Sequence, residues 1–111
     1  MCIRDRGNIT LTRDPQQAAA QADLVVTDTW MSMGQELERK EHQALFKPYQ
    51  VNEEVMSGAA ADALFMHCLP AFRGAEVSAG VIDGARSVVW EEAGNRLHAQ
   101  KALLELSLIH I

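Results

Sequence analysis

Three stretches of this chain place reactive side chains directly after apolar runs. Thr27-Asp28-Thr29-Trp30-Met31-Ser32-Met33-Gly34 follows Leu24-Val25-Val26. His67-Cys68-Leu69-Pro70 follows Leu64-Phe65-Met66. Glu91-Glu92-Ala93-Gly94-Asn95-Arg96 follows Ser87-Val88-Val89-Trp90. A carboxylate accepts hydrogen bonds from an ammonium group, a thiol sits at the boundary between acid and acceptor, and a guanidinium grips an oxyanion with two donors. In open α/β sheets, ligands bind outside the carboxyl ends of the strands, so three such ends on one edge make a candidate site. Each residue also has a plainer reading. Asp28 suits a helix cap or a solvated loop, Cys68 a small core position, and Arg96 an ordinary helix surface. Their convergence on one predicted edge favours a shared site over three coincidences.

The elements that must position these groups are legible as alternating periods. Ile9-Thr10-Leu11 reads as a first short strand. Asp14-Pro15-Gln16-Gln17 reads as a helix start, with Asp14 as N-cap, proline in the first turn and glutamine three residues after the cap; this helix runs to Ala22. Leu24 to Thr27 is β-branched and apolar, as a buried strand is. Gly34 to Phe46 reads helical, with Glu36 and Lys40 spaced as an i,i+4 pair, and Pro48 ends it. Asn52 is set to cap a helix reaching about Ala61, with Glu53 and Glu54 in its first turn. Leu64 to Met66 is a strand, Val77 to Ile82 a short helix, Ser87 to Trp90 a last strand, and Glu91 to Glu105 a helix. The alternation predicts an α/β fold with a parallel, Rossmann-like sheet flanked by helices.

The ends read differently. MCIRDR and LSLIHI are encodable by one nucleotide sequence and by its reverse complement, and that sequence resembles a transposase end used in library adaptors. Residues 1–6 and 106–111 are therefore expected to be adaptor-derived and to pack poorly, with residues 7–105 as the partial domain and its last helix cut short. Leu106 to Ile109 are expected to extend that helix by accident, because leucine is a good helix former. Setting the ends aside leaves Cys68 as the sole thiol, which points to a reducing, cytoplasmic compartment. It also moves the formal charge from -5 to -6, since Arg4, Asp5 and Arg6 carry one net positive charge. That balance disfavours nucleic acid as the main partner, and no apolar run is long enough to suggest a membrane span. GxGxxG, Walker A, HExxH and CxxC patterns are missing from these residues, so neither a cofactor nor a metal is expected.

Four segments carry a resemblance. DTWMSMGQE, YQVNEEVM, FMHCLPAFRGAEV and SVVWEEAGNRLHAQKALL together resemble the carboxyl-terminal third of the ornithine carbamoyltransferases, within the aspartate/ornithine carbamoyltransferase family. The match covers residues 7–105 in order. HCLP and D-x-x-x-S-M-G are its most diagnostic parts, and Phe72 departs from it where many relatives carry histidine. The resemblance implies a two-domain transcarbamylase, of which this chain holds most of the second, ornithine-binding domain. It implies no cofactor, and a parent that is typically a homotrimer. It also implies transfer of a carbamoyl group from carbamoyl phosphate to the side-chain amine of L-ornithine. In that reading Asp28, Ser32, Met33, Cys68 and Leu69 bind ornithine, Cys68 is catalytic, and Cys68, Leu69 and Arg96 contact carbamoyl phosphate. Gly34 lets the loop turn, while His67 is either structural or a participant.

Other classes stay open on the residues alone. A cysteine-nucleophile enzyme would need a base such as His67 or His98, yet neighbouring side chains on an extended strand point to opposite faces, which places His67 poorly. A plain interaction module would scatter Asp28, Cys68 and Arg96 over different faces. Within the family, enzymes acting on putrescine or an acylated ornithine are the nearest alternatives.

Overall fold

A computed structural model describes residues 7–30 and 39–109. Two parallel strands, β1 (Leu24–Thr27) and β2 (Leu64–His67), pair in the register Leu24↔Leu64, Val25↔Phe65, Val26↔Met66 and Thr27↔His67. Around them stand α1 (Pro15–Ala19), α2 (Arg39–Phe46), α3 (Glu53–Gly58), α4 (Ala79–Ile82) and α5 (Val89–Ile109), with a 3-10 turn at Lys47–Tyr49. This is the predicted α/β arrangement of a parallel sheet with flanking helices.

Local chemistry sets the helix starts. The Asp14 carboxylate accepts the Gln16 amide at 2.9 Å, and Asn52 Oδ1 accepts the Val55 amide at 3.0 Å. Each side chain supplies a partner for an amide that the first turn leaves without one. The anticipated reciprocal arm of a capping box at α1 is absent: Gln17 accepts from the Thr12 hydroxyl, and Thr12 accepts the Asp14 amide. Ser78 opens α4 by accepting the Val81 amide while its hydroxyl donates to Glu53, so the starts of α3 and α4 are joined.

The core lies between α3, α4, the start of α5 and one face of β2. Val55 and Met56 of α3, Val81 and Ile82 of α4, Val77 and Val89 close around Phe65, which is fully buried. Burying a side chain of that kind contributes roughly 1.5–3 kcal/mol. Met66 and Leu64, alternating with Phe65 along β2, remain partly or largely exposed.

Several element boundaries differ from expectation. Ile9 to Leu11 forms no strand and is exposed, because nothing among the described residues pairs with it. The helices α1 and α3 end earlier, at Ala19 and Gly58, where Gln21 turns left-handed at φ 57 and the two ends bond to each other, Gln21 N–H to Gly58 O and Ala60 N–H to Ala22 O. β1 is an edge strand, with Leu24 and Val26 exposed at 46% and 60%, not a buried one. The last strand shrinks to a single parallel bridge, Phe65↔Ser87, supported by Phe65 N–H donating to Arg86 O and Val88 N–H to Phe65 O. Trp90 therefore lies inside α5. The Glu36–Lys40 pair, Gly34 and residues 1–6 lie outside the described residues. α5 does continue through Leu106, Leu108 and Ile109, all exposed.

Candidate functional site at the paired strand ends

The register of the sheet creates the site. Thr27 and His67 are partners, so the next residues on each strand, Asp28 and Cys68, leave the sheet side by side. The Cys68 thiol donates to Asp28 Oδ1 at 3.2 Å, and the Thr29 amide donates to the same oxygen at 2.6 Å. With both donors on Oδ1, Oδ2 has no hydrogen-bond partner among the described residues. Asp28 and Cys68 are exposed, while His67, one residue before Cys68, is fully buried. Strand alternation sends the two neighbours to opposite faces.

Electrostatics follow from that bond. The thiol and the Thr29 amide stabilise the charged carboxylate, so the Asp28 pKa lies below its ordinary value, with a smaller contribution from His67. The Cys68 pKa is raised, first by its hydrogen bond to Asp28, then by burial and the charges of Asp28 and Glu92. Cys68 is thus held as a thiol that donates, beside an ionised acceptor. This is the reverse of the environment that activates a nucleophilic cysteine.

The turn after β2 is pinned from several directions. The His67 amide donates to Glu92 Oε2 on α5 at 2.9 Å. His67 Nδ1 accepts the Leu69 amide at 2.9 Å, and Nε2 meets Glu76 Oε1 at 3.2 Å. Leu69 takes a left-handed backbone with φ 53, and its side chain packs against the core. Gln50 binds the far side of the loop through the carbonyls of Gly74 and Ala75. With both ring nitrogens engaged elsewhere, His67 has no lone pair free for Cys68. The same fact bears on metal binding. Ligand atoms of Asp28, His67 and Cys68 lie within 4.8 Å of one another, but a metal on His67 Nδ1 would have to displace the Leu69 amide.

The structure therefore brings Asp28, Cys68 and Leu69 together. Ser32 and Met33 lie outside the described residues. Trp30, before that segment, stacks its ring on Phe46 at the end of α2 with centroids 5.9 Å apart. Arg96 is exposed on α5 and makes no hydrogen bond or ion pair with a described residue. It stands four residues after Glu92, on the same helix face as the carboxylate that holds the end of β2. Sequence reasoning missed two residues, Glu92 and Glu76. Glu76, an acid between Ala75 and Val77, offered a faint signal of burial. A cleft of about 520 Å³ lies beside Trp30, Lys47, Phe72 and Arg73, apart from Asp28 and Cys68. The bonded Asp28–Cys68 pair makes the exposed strand ends, rather than this cleft, the candidate site.

Comparison with known proteins shows the family to which the chain belongs. Residues 2–107 match the family model of the aspartate/ornithine carbamoyltransferase Asp/Orn binding domain. The chain is 62% identical over 96 residues to the ornithine carbamoyltransferase of Geobacillus stearothermophilus, covering 86% of this chain and 31% of that protein. It is similar in structure to ornithine carbamoyltransferase from Pyrococcus furiosus, with a TM-score of 0.76 and 55% identity over 82% of this chain and 29% of the other. Ornithine transcarbamoylase from Giardia lamblia gives a TM-score of 0.80 at 40% identity, covering 88% of this chain and 30% of the other. The chain spans about a third of the length of the curated relatives it matches.

Proposed function

Because the chain belongs to the aspartate/ornithine carbamoyltransferase family, we propose that it is the amino-acid-binding part of an ornithine carbamoyltransferase of arginine metabolism. The parent enzyme transfers the carbamoyl group of carbamoyl phosphate to the side-chain amine of L-ornithine, giving L-citrulline and phosphate. It works in the cytoplasm as a homotrimer. Residues 7–105 are the partial ornithine-binding domain, and residues 1–6 and 106–111 are adaptor-derived.

The chemistry to be met is the basicity of the substrate. A primary alkyl amine, like that of lysine, has a pKa of about 10.4, so at neutral pH it arrives as an ammonium ion with no lone pair to offer. Asp28, ionised and with Oδ2 open, receives that cation. The ammonium gives one proton to solvent, its nitrogen bonds to the carbonyl carbon, the bond from that carbon to the phosphate oxygen breaks, and the second proton from nitrogen leaves with the phosphate. Cys68 and the Leu69 carbonyl border the reacting nitrogen and the carbamoyl group. Ser32 and Met33 hold the amino-acid end. Arg96 donates to carbamoyl phosphate and holds negative charge as it develops on the leaving group.

The observation that carries this reading is the Cys68 thiol bonded to Asp28 at adjacent carboxyl ends. It supplies an acceptor for a cationic amine and a hydrogen-bonding thiol next to it. The test is to replace the matching segment of the Geobacillus stearothermophilus enzyme with residues 7–105 and assay citrulline. Ornithine-dependent activity that falls at least about 100-fold on Asp28→Asn is expected, comparable to loss of a charge-stabilising group. Preference for putrescine or an acylated ornithine, or no activity from a folded chimera, would refute it.

A further inference from the structure

The fully buried Glu76 has no part in the transfer reaction, yet the whole HCLP turn is built around it. Its Oε1 accepts the Phe72 amide at 2.6 Å and meets His67 Nε2 at 3.2 Å. Both Glu76 and His67 are fully buried, and Glu76 Oε2 is buried with no partner among the described residues. On the other edge of the ring, His67 Nδ1 accepts the Leu69 amide. A line of hydrogen bonds thus runs from Leu69 through the imidazole to Glu76 and back to Phe72. It spans the loop that presents Cys68.

We propose that Glu76 is a positioning residue for the Cys68–Leu69 end of the substrate site, acting through the His67 ring to hold the turn from which the thiol reaches Asp28. The inference rests on the proposed function only for what that turn serves. An imidazole accepts at one nitrogen and donates at the other when neutral, so the Leu69 amide at Nδ1 requires the proton at Nε2, where Glu76 receives it. Glu76 therefore selects the tautomer, the tautomer selects the Leu69 amide, and that amide stabilises the left-handed backbone at φ 53. A carboxylate can do this with one oxygen, which is why Oε1 takes both donors. Glutamine retains an acceptor oxygen in the same place. Leucine retains the approximate size and removes the acceptor.

The experiment uses the whole chain in a Cys2→Ser background, so that Cys68 is the only thiol. Nitrogen-15 spectra of labelled histidine, with His67 assigned from a His67→Gln variant, are expected to show Nε2 protonated and Nδ1 bare. In Glu76→Leu, amide exchange protection at Leu69 and Phe72 is lost, and the pH profile of Cys68 alkylation by iodoacetamide moves down toward that of a free thiol. Glu76→Gln restores both. The proposal is overturned if His67 carries its proton on Nδ1, or if a folded Glu76→Leu keeps the Leu69 and Phe72 protection and the Cys68 profile. If Glu76→Leu does not fold, the tautomer in the unsubstituted chain decides alone. None of these readouts involves ornithine or carbamoyl phosphate, so their failure and failure of the proposed reaction are separate results.

Discussion

The turn after β2 and the helix α5 are both expected to contribute to one active site, but they are held in unlike ways. The turn is fixed by Glu92 at the His67 amide, by Glu76 behind the ring, by Leu69 in the core and by Gln50 across the loop. Among the described residues α5 is anchored only at its start, where Val89 is buried and Glu92 reaches β2. Beyond that, Leu97, Leu103 and Leu104 are exposed, as is Arg96. Apolar area on that scale is rarely left uncovered in a monomer. The turn is thus supported from within the chain, whereas the Arg96 face of α5 has no such support among the described residues.

The strongest way to break this contrast is to ask the chain for turnover. Holding two substrates in attack geometry supplies about 7–11 kcal/mol of a barrier, and the proposed ornithine site would hold one. Purified chain with saturating substrates is expected to give citrulline more than about tenfold more slowly than a full-length relative, well inside that range. Turnover within that factor, lost on Cys68→Ala, would show that no second surface is needed.

Stability measurements sharpen the comparison. Phe65→Ala is expected to cost about 3–5 kcal/mol in urea unfolding, because it empties the centre of the core beneath the turn. Arg96→Ala is expected to change stability by no more than about 0.5 kcal/mol, as an exposed residue with no partner among the described residues does. Equal costs at the two positions would mean that α5 is as firmly integrated as β2.

The smallest effect is electrostatic. Asp28 raises the Cys68 pKa, so Asp28→Asn is expected to lower it and make iodoacetamide react at lower pH. The sign is fixed by the loss of a negative charge that disfavours the thiolate. An alkylation profile that stays put or moves upward would show that the thiol does not depend on Asp28.

These contrasts also explain which features are legible in the sequence. Asp14 and Asn52 are legible as caps because capping is settled within three residues. The adjacency of Asp28 and Cys68 is legible because each stands one residue beyond an apolar run, and strand register does the rest. Ile9 to Leu11 misleads because a strand needs a partner that sequence period does not supply. The apolar character of Leu24 to Thr27 correctly suggests a strand but not its place at the edge. Ser87 to Trp90 fails differently. One bridge at Ser87 satisfies the pairing, and the helix takes over at Val89. Glu76 is hidden because its burial depends on His67, nine residues away, and no local pattern encodes that pair.

The open side of β1 has a bearing on how the molecule behaves in concentrated solution. Among the described residues β1 pairs only with β2, and Leu24 and Val26 are exposed along it. A strand of this kind offers unpaired backbone donors and acceptors with apolar side chains beside them, and neither lysine nor proline interrupts the run to discourage a newcomer. Purified chain should therefore self-associate as its concentration rises, and Val26→Lys should raise the concentration at which light scattering first increases.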